Sequence, residues 1–209
     1  FMWPGSEVPI DGHQATVWTP YSSKPTYYQR ADWVIEAMTR PEAEIPELVN
    51  CLGPHSDEAA EGIMTTDTKR KEIAVSFTAG GKVCKIGGIC KGSGMIHPNM
   101  ATMLCFLTTD ANIAPAVLDS ALRIAVKDSF NMVSIDGDTS TNDMTAILAN
   151  GLAENDPIEE GTEAFDLFTE TLRAIAIRLA RMVAKDGEGA TKLLVCKVTG
   201  AASDADART

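Results

Sequence analysis

Between Glu160 and Ala184, apolar side chains return at steps of three and four: Phe165, Phe168, Leu172, Ile175, Leu179 and Met182. Arg173, Arg178, Arg181 and Lys185 fall on other faces, so the stretch specifies one long amphipathic helix. Its apolar stripe must be covered along its whole length by another layer of structure. Asp186-Gly187-Glu188-Gly189 then breaks the helical pattern.

The covering layer is legible upstream. Glu72–Phe77 alternates between polar and apolar residues, Gly80-Gly81 supplies a tight turn, and Lys82–Ile86 returns, which predicts a β-hairpin. Met103–Leu107 is a continuous apolar run, as expected of a strand covered on both faces. Pro115 suits a first helical turn, and Leu118, Ala121, Leu122 and Ala125 form one face before Phe130. Met132–Ile135 predicts a short strand running into the polar loop Asp136–Asp143, and Leu193–Val198 predicts a final strand. Ile45–Val49 and Ser56–Ala60 predict short helices, the second opened by a serine cap. Interleaved helices and strands point to an α/β layered domain. Residues 1–41 hold all three Trp and all three Tyr with scattered prolines, and no helix or strand emerges from their pattern.

The 209 residues suffice for one or two domains with a buried core. Apolar residues make up 44% and charged ones 22%, against intrinsic disorder, and no apolar run is long enough for a membrane span. A formal charge of −11 disfavours nucleic acid and anionic membranes as partners. Phe1–Gly5 shows no signal-peptide pattern, so the expected location is the cytoplasm. The five cysteines lack metal-ligand spacing and are expected to be reduced thiols, with no metal site.

Three segments carry possible chemistry. Gly87-Gly88-Ile89-Cys90-Lys91-Gly92-Ser93-Gly94 fits neither the Walker spacing nor the dinucleotide fingerprint, leaving an anion-binding loop around Lys91 or a structural turn. Asp136–Asp143 departs from the calcium-loop pattern at Thr141 and Ile147. A buried polar turn whose side chains cap local backbone competes there with a cation site, and a cation-dependent phosphate chemistry using Lys91, Asp136 and Asp138 is a weaker alternative. The third segment sets Ala101-Thr102 before an apolar strand. A threonine becomes both nucleophile and base once the peptide bond before it is cut, because its own α-amine can accept the hydroxyl proton.

Four stretches then appear in order: Met64-Thr65-Thr66-Asp67-Thr68, Gly87 to Leu104, Leu107-Thr108-Thr109-Asp110-Ala111 and Ser134 to Asp143. Together, over about Ile45 to Ala207, they resemble the ornithine acetyltransferases, also called glutamate N-acetyltransferases, of arginine biosynthesis. The resemblance implies a layered sandwich of helices on a mixed β-sheet. It also implies a precursor that cuts itself between Ala101 and Thr102 into α and β chains, and an acetyl-threonine intermediate on Thr102. The acetyl group would pass from N-acetylornithine to glutamate, with acetyl-CoA a further possible donor, no cofactor, and an α2β2 assembly. Thr65, Lys91 and Glu188 match the family's substrate-binding positions, Lys91 for a carboxylate and Glu188 for an ammonium.

The same resemblance divides the chain into residues 1–41, unassigned and divergent or frameshifted, residues 42–101 from the end of an α chain, and residues 102–209 from the start of a β chain. The family's oxyanion-hole threonine-glycine pair has no match in residues 1–64, nor do its C-terminal substrate contacts before Thr209. One such donor is worth about 2.7–4 kcal/mol of transition-state stabilisation. The chain therefore reads as a fragment, and an inactive or non-autonomous piece of the enzyme is the alternative expectation.

Overall fold

The computed structural model describes the backbone of residues 7–10 and 13–16, and residues 56–97, 103–140 and 143–208. The chain divides into two units, Phe1–Pro54 and His55–Thr209. In the first, β1 (Glu7–Ile10) pairs antiparallel with β2 (His13–Thr16), where the sequence pattern suggested no element. The signal was Asp11-Gly12 between them, a favoured hairpin dipeptide. The helix expected at Ile45–Val49 lies outside the described residues.

In the second unit α1 (Ser56–Gly62) precedes a four-stranded sheet of β3 (Lys71–Ala79), β4 (Lys82–Lys91), β5 (Leu104–Thr109) and β6 (Met144–Ala149), in that spatial order. The first two pairings are antiparallel and β5–β6 is parallel, so the sheet is mixed. Helix α2 (Pro115–Lys127) forms the crossover from β5 to β6, α3 (Glu163–Lys185) packs against α2 and β3, and α4 (Asp204–Arg208) ends the described chain. The expected layering of helices on a mixed sheet is what the chain forms.

Gly80 and Gly81 take φ of +54° and +72°, the doubly left-handed turn that matches the twist of the flanking strands. The ladder then sets side chains in rows on the helix-facing side: Val75, Ile86 and Thr109; Ile73, Gly88 and Leu107; Lys71, Cys90 and Cys105. Phe77 meets Phe168 of α3 edge to face at 5.8 Å, anchoring the helix to the sheet. Thr162 caps α3 by accepting the Phe165 N–H at 3.2 Å, which starts the helix slightly later than the apolar stripe suggested. Val183 is buried and Met182 only partly so, a small rotation of the predicted stripe.

Gly87 and Gly88 lie inside β4, not in a loop. A Cβ on Gly88 would stand 2.4 Å from Leu107 Cδ2, because the Leu107 side chain lies across the gap in its row, whereas at Gly87 the nearest atom is 3.7 Å away. Gly88→Ala is therefore expected to destabilise the fold by about 1–3 kcal/mol, and Gly87→Ala to cost much less. The denaturant midpoints of the two variants measure the difference.

Three strand expectations need correction. Met132–Ile135 is no strand: Phe130–Met132 forms a 3-10 turn that buries Phe130, and Ile135 makes one backbone bond, to Ile96 C=O at 2.9 Å, instead of a ladder. The parallel strand forms further along, at Met144–Ala149 as β6, whose half-buried pattern gives a weak sequence signal. Leu193–Val198 has the alternation of a strand but pairs with no strand among the described residues, and Leu194 is 88% exposed. The run at Met103–Leu107, displaced to Leu104–Thr109, is buried on one face through Cys105, Leu107 and Thr109; Leu104 and Phe106 on the other are half-buried.

Candidate functional site

At the end of β4, Lys91 is 9% exposed and its ammonium donates to Thr65 Oγ1 at 2.8 Å. Two residues quoted from separate motifs are thus in direct contact. An ammonium carries three donors, and among the described residues Thr65 is the one hydrogen-bond partner of this one. Glu188 sits in the turn after α3, where its N–H donates to Ser93 C=O at 2.6 Å and its Oε2 lies 3.1 Å from where a Cβ on Gly94 would be. Ser93 in turn shares a 2.5 Å hydrogen bond with Thr66 Oγ1. The loop Gly92–Gly94 therefore joins the Thr65 segment to the Glu188 turn. Glu188 also lines a cavity of about 810 Å³ together with Thr66, Lys71, Arg181 and Asp186, to which Thr65 and Lys91 do not contribute. Ala101 and Thr102 lie outside the described residues.

What holds these pieces together is a buried ion cluster that the sequence reading missed. Lys71 opens β3 on the helix-facing row, so its chain points inward and is 1% exposed. A buried ammonium needs partners, and it has two, Asp67 Oδ1 and Asp186 Oδ2, each at 2.6 Å. Asp67 also accepts Gly92 N–H at 2.7 Å and Thr65 N–H at 3.2 Å. Asp186 accepts the N–H of Thr68 at 3.0 Å and of Lys69 at 3.3 Å, and the Thr68 hydroxyl. Burial raises both carboxyls, but the Lys71 ammonium, with the Gly92 and Thr65 amides at Asp67 and Thr68 at Asp186, outweighs it and holds both below the usual carboxylate range.

The cluster bears on the glycine-rich segment. Gly92 takes φ of +147° and gives its N–H to Asp67, so an internal carboxylate occupies the amide that an anion-binding loop would offer. Asp67 was visible within Met64–Thr68 without a role, and Asp186 had been read as a helix stop. Nothing in the chain's order joins Asp186 to Lys71, which lies 115 positions earlier.

Asp136 is exposed, contrary to the buried turn expected, and it caps more than local backbone. Besides Asp138 N–H at 3.2 Å it accepts Ile96 N–H at 3.0 Å and the Met95 N–H. Desolvation raises its carboxyl, yet these amides lower it overall. Asp143 accepts Met103 N–H at 2.6 Å, and burial pushes its carboxyl up. Among the described residues no group of three or more His, Cys, Asp or Glu is placed to hold a metal ion. Cys84, Cys90, Cys105 and Cys196 are free thiols; the Cys105 thiol beside Cys90, and its burial, push Cys90 well above the usual thiol range. No described helix is long and apolar enough to cross a membrane.

The model of the ArgJ family matches residues 35–209. The chain belongs to the ArgJ family. The arginine biosynthesis bifunctional protein ArgJ of Symbiobacterium thermophilum is 52% identical over 172 residues, covering 82% of this chain and 43% of that protein. The ArgJ of Listeria monocytogenes serovar 1/2a is 51% identical over 148 residues, covering 71% and 37%. A crystal structure of ArgJ from Bacillus halodurans is 44% identical, with a TM-score of 0.39 over 41% of this chain and 39% of that one. The chain thus spans about two fifths of the length of the curated ArgJ relatives it matches. The family match begins at residue 35, earlier than the stretch that carried the resemblance in the sequence.

Proposed function

We propose that this chain carries the nucleophile-bearing part of a glutamate N-acetyltransferase that moves the acetyl group of N-acetylornithine to glutamate in arginine biosynthesis. The observation that carries the reading is the contact between Lys91 and Thr65 in a member of the ArgJ family. It couples a buried cation, eleven residues ahead of Thr102 in the sequence, to the Thr65 hydroxyl.

In the maturation step the Thr102 hydroxyl oxygen attacks the Ala101 carbonyl carbon, the C–N bond breaks, and the α-amine of Thr102 departs with the proton. Water then hydrolyses the resulting ester, leaving a carboxylate on Ala101 and restoring the hydroxyl. On this reading residues 42–101 belong to the α chain and residues 102–209 to the β chain. In turnover the Thr102 oxygen attacks the acetyl carbon of N-acetylornithine while its own α-amine takes the hydroxyl proton and passes it to the departing ornithine amine. The amine of glutamate next attacks the acetyl-threonine ester and releases the hydroxyl. Lys91 holds a substrate carboxylate, Thr65 orients Lys91 and contacts substrate, and Glu188 receives the ornithine ammonium. Acetyl-CoA as a second donor, an α2β2 assembly and a cytoplasmic setting complete the proposal.

Incubation with N-acetylornithine alone, followed by intact-mass analysis, tests it. The expected product is a fragment beginning at Thr102 that carries one acetyl group, which added glutamate removes. An uncut chain, or acetylation confined to another residue, overturns the reading. A second reading is that these residues form an inactive or non-autonomous piece of the enzyme, favoured by the two-fifths share of the relatives' length. Activity that appears only when the remaining segments of a relative are supplied selects that reading.

A further inference from the structure

We propose that the cavity between the C-terminal half of α3 and the segment leading into β3 is a binding site for a small molecule that carries a diphosphate. It does not depend on the reading of Thr102: every residue of the cavity wall is described, and the test reads binding, not turnover.

Charge is distributed unevenly around this cavity. The chain holds 29 acidic and 18 basic residues, yet six basic residues and two acidic ones line these 810 Å³ or so. Lys69, Arg70 and Lys71 come from one side, and Arg178, Arg181 and Lys185 from the other. A chain of formal charge −11 thus gathers a third of its cations around one hollow.

Partnership separates the structural charges from the available ones. The Lys71 ammonium is held by Asp67 and Asp186, and its third donor reaches Lys69 C=O at 3.3 Å, so it offers nothing to a ligand. Arg70 pairs with Asp57 at 3.3 Å and Glu61 at 3.6 Å. Lys69, Arg178, Arg181 and Lys185 are exposed, and among the described residues their charged ends have no hydrogen-bond or salt-bridge partner. Arg123 on α2 and Arg173 on α3 each have a carboxylate partner, so bare arginine is not the habit of these helices. Of the two acids at the wall, Asp186 is already taken by Lys71, which leaves Glu188.

Arg178, Arg181 and Lys185 follow at steps of three and four and so share one face of α3. Like charges at those steps weaken a helix. The helix dipole offsets that cost only within the last turn, where Lys185 stands; Arg178 lies seven residues earlier. Lys69 belongs to another segment altogether. A solvated helix end explains neither Arg178 nor Lys69, and a bound anion explains both.

Size and wall chemistry set the class of ligand. A cavity of this volume suits an organic molecule of nucleotide size better than a lone inorganic ion. Arginine forks bind phosphate oxygens in bidentate fashion, and a diphosphate presents several negative charges within a short span. Met182, Ala190 and Leu193 give the same wall an apolar stretch for the organic body. A long nucleic acid is disfavoured, because its charge extends past the cavity into the field of an acidic chain, whereas salt screens a small anion from that field within about 8–10 Å.

Isothermal titration of the full chain with pyrophosphate, ADP and coenzyme A tests the site, since these present a diphosphate free, on a nucleoside and on an acyl carrier. Saturable one-to-one binding is expected, and the tightest of the three names the source. Arg178→Gln, Arg181→Gln and Lys69→Gln are each expected to weaken it by about 10-fold or more, the loss of one charge-assisted hydrogen bond. Arg123→Gln, which removes a paired guanidinium outside the cavity, is expected to leave it unchanged. The three cavity variants lose no partner, so their denaturant midpoints should stay at the parental value.

Absence of saturable binding by all three ligands overturns the proposal. So does citrate binding as tightly as the best diphosphate, which would make the cavity a general sink for negative charge. Equal weakening by Arg123→Gln and by the cavity variants means diffuse attraction and overturns it too. Should one cavity variant fail to fold, the other two decide: weakening in both supports the site, and parental affinity in both overturns it. Cleavage at Ala101–Thr102, read separately by intact mass, stands or falls independently of these results.

Discussion

Valine in place of Thr102 is expected to leave the chain uncut and to reduce acetyl transfer by on the order of 1,000-fold or more. Valine keeps the β-branched shape of threonine and replaces its hydroxyl with a methyl group, so the side-chain volume is nearly unchanged while the proposed attacking oxygen is lost. On the proposed mechanism two chemical events depend on that one atom, and they should fail together. Without the ester of the first step the α-amine remains a peptide nitrogen, which cannot act as a base at neutral pH. Intact mass reads the cleavage, and transfer from labelled N-acetylornithine to glutamate reads the turnover. A Thr102→Val chain that is cut, or that transfers acetyl at the parental rate, overturns the proposed mechanism. Serine at the same place retains a hydroxyl and is expected to recover part of both activities.

Methionine in place of Lys71 is expected to destabilise the fold by about 3–5 kcal/mol. The methionine chain fills a similar space, but Asp67 and Asp186 are left as two buried carboxylates facing the gap without their shared cation. The pH dependence should separate charge from packing. In the parent both carboxyls lie below their ordinary value of 3.8, so they contribute stability that is present above that value and is lost as acid protonates them below it. In the variant the same carboxyls are raised by burial and mutual repulsion, so lowering the pH toward about 5 neutralises them and restores stability. The gap in denaturant midpoint between the two chains should therefore narrow on acidification. A gap independent of pH would mean that Lys71 contributes through packing alone. Because Asp67 holds Thr65 and Gly92 while Asp186 leads into the Glu188 turn, the folded remainder of the variant should also bind substrate more weakly.

Legibility differed by the range of the interaction that decides each feature. The β3–β4 hairpin, α2 and α3 were readable because turn glycines, an N-terminal proline and a three-to-four-residue stripe are local signals. The strand expected at Met132–Ile135 and the one expected at Leu193–Val198 do not form, and β6 carries no strong pattern, because a strand is completed by its neighbour. Half-buried Met144–Ala149 gained a partner in β5, while the better-patterned Leu193–Val198 has none among the described residues. At the site, Thr65, Lys91 and Glu188 came from motif resemblance, and the residues that hold them did not. Lys71 carries no local signal of burial, and it is the register of β3 that turns it toward the helices.

The order of residues by itself determined the class of fold, the family, and the residues with a chemistry to offer, because composition, periodicity and motif are all carried within short windows of chain. Only the tertiary structure decided which of them meet. Lys91 reaches Thr65 across 26 positions and Asp186 reaches Lys71 across 115. Asp143 reaches Met103 across 40. Such pairs form when the sheet register and the helix packing bring buried charge and unpaired backbone amides to the same place, where leaving either without a partner would cost more than the entropy of ordering them.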